Sequence, residues 1–354
     1  MQAVVLVGGE GTRLRPLTLE TPKPMVPIMN VPFLERTMER LKEAGIDEVV
    51  LPAGYLPAAI SDHFGDGSRF GMTIDYVIED TPLGTAGAVK NVAQYIKGPF
   101  FVLNGDVLTS LDLRKMIELH ERKRGMGVLH LIRVDDPSAF GCVVHDESGK
   151  VSAFVEKPKR EEAPTNEVNA GTYLLDPAVL DLIPDGRMVS IERETFPLVV
   201  AGSRPLYAYT TSDYWIDLGN PKAYLSAHHN VFDGAMPLGI GQGIEGPGAK
   251  DVPAGSCITP VYIGDGVRIA SGASVGPYAV LGAGCSIGAG AIVRNSVLWD
   301  AVTVEEGASI DGAIVASRAL IGAGSTVRPG SVIGHGVIVS SGSELGENAR
   351  VSAG

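Results

Sequence analysis

The chain of 354 residues is 45% hydrophobic and 20% charged, an ordinary balance for a soluble globular protein with room for one large domain or two. Its net charge of −12 argues against nucleic acid or an anionic membrane as a partner, so any phosphate must be held by a few placed cations and backbone amides. Cys142, Cys257 and Cys285 form neither an even disulfide set nor a metal-ligand spacing, and no apolar run approaches the ~20 residues of a membrane span, so a cytoplasmic chain without a signal peptide is expected.

In chain order, apolar runs at 3–7, 48–51, 73–78, 100–103 and 127–134 predict strands. Amphipathic stretches at 33–44, 112–123 and 190–200 predict helices, and so does the segment after Asn220, which can cap a helix whose first turn holds Pro221. The alternation is that of a mostly parallel sheet covered on both faces. Runs at 141–145, 151–156 and 170–175 read as antiparallel additions. Residues 1–229 are therefore expected to form an α/β, three-layer, Rossmann-like domain with a mixed sheet. Residues 230–258, rich in Gly and Pro without a period, are expected to be a linker.

Residues 259–354 follow a different rule, a period of six. Aliphatic residues stand six apart from Ile263 to Val293, from Leu298 to Ile310 and from Val315 to Val351, sixteen positions in all. Two residues before many of them stands a small one: Ala273, Ala279, Cys285, Ala291, Ala308, Ser325, Ser331. This is the mark of a β-solenoid with three short faces per coil, roughly five coils here. The step shortens to five at Val293→Leu298 and Ile310→Val315, which predicts two shortened corners in adjacent coils.

The chemistry-bearing residues lie in the first domain. Gly8-Gly9-Glu10-Gly11-Thr12-Arg13 follows the first strand, and Pro22-Lys23-Pro24 comes soon after. Glycines after a parallel strand let backbone N–H groups approach a polyphosphate closely. No Gly-Lys-[Ser/Thr] follows and a third dinucleotide glycine is missing, so neither a P-loop nor a dinucleotide fingerprint is present. A tight structural turn would need the same glycines; Arg13 and Lys23 add the two cations that a phosphate site needs. Asp106, in Asn104-Gly105-Asp106, and Asp217, in Trp215-Ile216-Asp217, both end apolar runs. Either alone reads as a turn or cap residue, yet two strand-end carboxylates also suit a phosphate-bound Mg²⁺. Glu156-Lys157-Pro158 ends another strand.

Together, Gly-Gly-x-Gly-Thr-Arg-Leu-x-Pro-Leu-Thr with Pro-Lys-Pro, then Asn104-Gly105-Asp106, Glu156-Lys157-Pro158, Asn169-Ala170-Gly171 and Trp215-x-Asp217-x-Gly219, resemble the sugar-1-phosphate nucleotidyltransferases, in the family's order. The likeness spans the chain, since left-handed β-helices of hexapeptide repeats are frequent tails in that family. Residues 82–87, 139–143 and 190–197 are most similar to its guanylyltransferases acting on mannose 1-phosphate.

The resemblance implies that Gly8, Gly9, Gly11 and Thr12 cradle the triphosphate of an NTP, here GTP, with Arg13 and Lys23 neutralising it. Gly84 and Thr85 would border the base and ribose, and Asp106 and Asp217 would hold Mg²⁺. Lys157 would meet the sugar phosphate, while Gly141, Glu156 and Asn169 bind sugar hydroxyls. Glu79, before the turn at 82–85, reads either as a solvated strand-end carboxylate or as the acceptor for guanine N1–H and N2–H₂. A homo-oligomer built through the tail is expected.

Alternatives remain: a sister enzyme using glucose 1-phosphate with UTP, dTTP or ATP, a non-catalytic subunit sensing NDP-sugar, or an acyltransferase, for which only His335 lies in the repeats. His228 and His229 read as solvated, Cys142 and Cys285 as small core residues, and Trp299 as surface burial, with packing against the first domain or a second subunit as its alternative.

Overall fold

The computed structural model describes residues 1–79 and 81–353. The chain forms two compact units, Met1–Gly9 with Leu34–Trp215, and Glu10–Phe33 with Ile216–Gly354. Compactness thus divides the chain elsewhere than at 229 and 259. Residues 10–33 group with the repeats because their apolar side chains Leu14, Leu17, Val26, Ile28 and Met29 are buried and several of their polar groups bond the solenoid.

The first unit is built on a sheet of nine strands. These are β1 (Gln2–Leu6), β2 (Glu48–Ala53), β3 (Thr73–Ile78), β4 (Phe100–Asn104), β5 (Gly127–Arg133), β6 (Gly141–His145), β7 (Val151–Glu156), β8 (Glu167–Leu175) and β9 (Leu206–Thr211). The order β3-β2-β1-β4 is parallel throughout, and β8 then joins β4 antiparallel. Beyond it, β8 splits its pairing between β5, which carries β9, and the β6–β7 hairpin. Ala3, Val4 and Val5 are all fully buried, so the first strand is covered on both faces, as its unbroken apolar run requires.

The chain steps outward from β1 to β2 and β3, then returns to β4 on the other side of β1. Such a reversal opens a crevice at the carboxyl ends of the two central strands, where ligands of open α/β sheets bind. The flanking helix Phe33–Glu43 buries Leu34, Met38 and Leu41 at helical spacing. Of the predicted helix at 190–200, the first part, Ile191–Thr195, is a π-helical turn and only Phe196–Ala201 is α-helical. The helix Pro57–Phe64 and strand Leu206–Thr211 had no place among the sequence expectations.

In the second unit, Asn220 caps the helix Pro221–Phe232 by accepting from Ala223 N, as its sequence implies. The repeats form a left-handed β-helix whose three faces carry seven, five and five strands. The aliphatic position of every repeat lies in one of sixteen short strands from Val261–Ile263 to Arg350–Val351. Most of these residues fill the prism, with Ala279, Cys285, Ala291 and Ala308 fully buried beside them. Register explains the two shortened steps: Ile263 pairs with Leu281, but Leu281 pairs with Leu298 and Leu298 with Val315, one residue less per coil. The corners absorb the loss at Asn295 and Gly312, both at positive φ.

The solenoid begins inside the expected linker, since Ile244–Glu245 already pairs with Val261–Ile263. A single strand with no repeat before it carries no periodicity to read. His228 is not solvated: it is buried and its Nδ1 lies 2.9 Å from Tyr224 O. Trp299 is not at the surface either. Its Nε1 donates to Tyr224 Oη at 3.0 Å, so it packs beneath the helix Pro221–Phe232.

Candidate functional site

Each unit carries part of the expected site. In the first, the carboxyl ends of β1 and β4 lie side by side, Leu6 opposite Asn104, and Gly105 N donates to Leu6 O at 3.0 Å. Gly8 and Asp106 thus flank the sheet's reversal point. Glu79, which follows β3, faces the same edge: its Oε2 would lie 3.5 Å from a Cβ built on Gly8. Burial pushes the Glu79 carboxyl up, against a backbone hydrogen bond from Leu83, and its Oε1 is buried with no partner among the described residues.

Gly84 opens the helix Gly84–Asn91. The Thr85 hydroxyl, however, is committed within the chain. It accepts from Ile191 N at 2.8 Å and donates to Glu192 Oε2 at 3.2 Å.

The three residues expected to meet the sugar come together. Gly141, Glu156 and Asn169 line a cavity of about 190 Å³ with Phe154, Glu192, Arg193 and Pro197. Glu192 and Arg193 were missed, although they stand inside the quoted segment 190–197. Glu192 is fixed by Tyr173 Oη at 3.2 Å and Ser190 Oγ at 2.9 Å, and Tyr173 Oη accepts from Asn169 Nδ2 at 2.6 Å. Arg193 Nη2 lies 3.7 Å from Glu156 Oε1, and Lys157 Nζ lies 3.7 Å from the same oxygen. Lys157 sits at φ 49, rare for a side-chain-bearing residue, with its N–H donating to Phe140 O at 2.9 Å. That turn presents a largely exposed ammonium at the end of β7.

The second unit gathers the cations. Gly11, at φ 62, allows the loop to fold back, so that a Cβ there would meet the Lys23 Cβ at 3.1 Å. Lys23 Nζ is 4.0 Å from Asp217 Oδ1. A Cβ on Gly219 would lie 2.6 Å from Arg13 Nη2 and 3.0 Å from Asp217 Oδ1. Arg13, Lys23 and Asp217, far apart in sequence, therefore form one cluster of two cations around a carboxylate. The guanidinium and the carboxylate both lie against Gly219, where a side chain would crowd them. His335 is engaged with residues of the 10–33 segment, its Nε2 lying 3.2 Å from Thr21 Oγ1, and so presents no free catalytic imidazole.

A mixed sheet with a glycine-rich turn at its reversal point, followed by a solenoid of hexapeptide repeats, defines a nucleotide-handling α/β enzyme with a β-helical tail. The chain belongs to the nucleotidyl transferase family, whose match covers residues 2–234; residues 253–345 match the LbH domain of the EIF2B epsilon subunit. A mannose-1-phosphate guanylyltransferase of Mycobacterium tuberculosis is 41% identical over 313 residues, 88% of this chain and 83% of that one. A UTP–glucose-1-phosphate uridylyltransferase of Synechocystis is 34% identical over 90% of this chain and 88% of that one. Among solved structures, HddC from Yersinia pseudotuberculosis complexed with GMP-PN has a TM-score of 0.56 at 33% identity, covering 65% of this chain and 99% of that one. Among the described residues no helix is long and apolar enough to cross a membrane.

Proposed function

We propose that this nucleotidyltransferase moves a guanylyl group from GTP to mannose 1-phosphate, giving GDP-mannose and pyrophosphate. The observation that carries the reading is the cluster of Arg13 and Lys23 about Asp217, directly after the glycine turn. The guanylyltransferase relative supports the choice of substrates. The sugar phosphate oxygen attacks the α-phosphorus in line, forming the new P–O bond as the α–β bridge breaks and pyrophosphate leaves. That nucleophile is already ionised near neutral pH, so no general base is required. Arg13 and Lys23 neutralise the triphosphate oxygens, Gly8, Gly9, Gly11 and Thr12 offer it backbone donors, and Lys157 orients the sugar phosphate. The cavity at Gly141, Glu156 and Asn169 takes the sugar ring. Catalysis is then alignment and charge stabilisation.

Asp106 and Asp217 suit Mg²⁺, which takes a few hard carboxylate oxygens and fills its remaining positions from phosphate and water. Asp217 ends the short strand Trp215–Asp217 and Asp106 lies in the turn after β4; among the described residues no group of three or more His, Cys, Asp or Glu offers a richer metal site. When bound, the ion would supply Lewis-acid neutralisation of the phosphate charge.

Uridylyl transfer is the second reading, favoured by the Synechocystis relative, and Glu79 separates the two. A buried carboxylate oxygen without a partner is costly unless a ligand supplies the donor, and guanine supplies two adjacent ones. Uracil offers a single donor between acceptors. Glu79→Gln is expected to weaken GTP use by ~1.5–3 kcal/mol in kcat/KM and to leave UTP use nearly unchanged. An equal change for both triphosphates would remove Glu79 from the base site. The decisive assay is pyrophosphate release over a grid of triphosphates and sugar 1-phosphates.

The tail is also expected to join copies of the chain. Ile292 and Ile338 point outward from two of its faces, 43% and 74% exposed. Light scattering at micromolar concentration should give a multiple of the 37.0 kDa chain mass, and Ile338→Glu should reduce it. A wild-type mass of one chain would sink this expectation.

A further inference from the structure

The segment Glu10–Phe33 holds Gly11, Thr12, Arg13 and Lys23, and it is tied to the β-helix at several points. His335, at a corner of the solenoid, reaches it directly: Nε2 lies 3.3 Å from Leu17 O and 3.2 Å from Thr21 Oγ1. A carbonyl oxygen only accepts, so Nε2 carries the proton and donates to both. Nδ1 is buried without a partner among the described residues, which suits the neutral ring; burial depresses the pKa, partly offset by the nearby Glu20 carboxylate. The imidazole packs edge-on against Trp299 with centroids 5.3 Å apart, and Trp299 in turn donates to Tyr224 Oη. Tyr224 Oη donates to Pro27 O at 2.5 Å, and Asn30 Nδ2 donates to Leu281 O at 2.7 Å. Arg318 and Glu20 add an exposed ion pair at 3.0 Å, worth little by itself.

These ties fall unevenly. Tyr224 and Asn30 hold the stretch after Lys23, whereas His335 is a buried side chain that grips the turn between Arg13 and Lys23. We infer that His335 is a positioning residue for the triphosphate loop: by fixing Leu17 and Thr21 it sets the spacing of Arg13 and Lys23 across that turn. The β-helix is then part of the nucleotide site's support and not an oligomerisation module alone. The inference rests on the proposed role of Arg13 and Lys23, so its test includes one arm that needs no nucleotide.

His335→Phe keeps a ring against Trp299 and removes the donor; His335→Gln restores an amide N–H at about the same reach. In the nucleotide-free full chain, amide hydrogen exchange over residues 14–25 should be about five- to tenfold faster in His335→Phe, with exchange in β1 and β4 unchanged. The KM for GTP should rise by a similar factor while kcat and the KM for mannose 1-phosphate stay within about twofold, and His335→Gln should recover both readouts. Should His335→Phe fold poorly, Thr21→Val, which removes only the hydroxyl acceptor, carries the same comparison. Unchanged exchange over 14–25 overturns the inference, and so does faster exchange with an unaltered GTP KM. A wild-type protein that turns over no GTP would instead defeat the substrate assignment, and exchange would still report on His335.

Discussion

Asp106→Asn and Asp217→Asn are each expected to lower kcat by about 10²-fold or more and to leave the fold intact. Asn matches Asp in shape and keeps one acceptor oxygen, so what it removes is charge. Asp106 stands directly after the Gly105 turn that bonds back to Leu6, and Asn there keeps the size of the side chain. Asp217 has two functions to separate, because its Oδ1 also lies 4.0 Å from Lys23 Nζ. If Asp217 holds the metal, Asp217→Asn raises the Mg²⁺ concentration needed for half-maximal rate. If it only balances Lys23, the Mg²⁺ requirement stays fixed and the KM for GTP moves instead. The measurements are Mg²⁺ titrations of initial rate for both variants, with thermal melts as the control for folding. Wild-type turnover in both variants would dismiss the metal assignment.

What the sequence disclosed depended on whether the signal was local. Most strands of the first unit were legible because an apolar run of four to eight residues needs no partner to be recognised, as with Ala3, Val4 and Val5, which are buried on both faces. The β-helix was legible for the opposite reason: each short strand is weak, but sixteen repeats of one aliphatic position are not. Even the two shortened coils could be read, since a lost corner residue shifts every later position. Ile244–Glu245 lay hidden because it precedes the first repeat. The fates of His228 and Trp299 were hidden for a further reason. Both are buried by partners distant in sequence or set by the fold, Trp299 by Tyr224 across the unit, and residue type alone does not decide burial for His or Trp. In the site, the glycines and charges were readable as types. The convergence of Gly141, Glu156 and Asn169 on one cavity, and the part Glu192 plays beside them, arise from a β-hairpin meeting a long bent strand.

Gly219→Ala is the most economical test of the cation cluster, and it is expected to cost about as much activity as removing the arginine. The added methyl would sit 2.6 Å from Arg13 Nη2 and 2.9 Å from its Cζ, closer than real contacts allow. What lies in its path is the tip of a long flexible side chain, so the structure yields cheaply: the guanidinium swings aside and no backbone has to move. Stability should therefore change by less than about 1 kcal/mol, the range of a substitution that creates no cavity and buries no charge. Activity should not be spared. A guanidinium displaced by an ångström or more no longer meets the triphosphate oxygen for which it was placed, and losing one preorganised charge costs about 10²-fold in kcat/KM. Arg13→Ala gives the reference value. The double variant then decides the matter: if the methyl acts only through Arg13, Gly219→Ala adds almost nothing in the Arg13→Ala background. Additive losses would mean that Gly219 serves Asp217, whose Oδ1 is 3.0 Å from the same point, or the backbone itself. A Gly219→Ala enzyme with full activity would show that Arg13 works from some other position than the one it holds against this glycine.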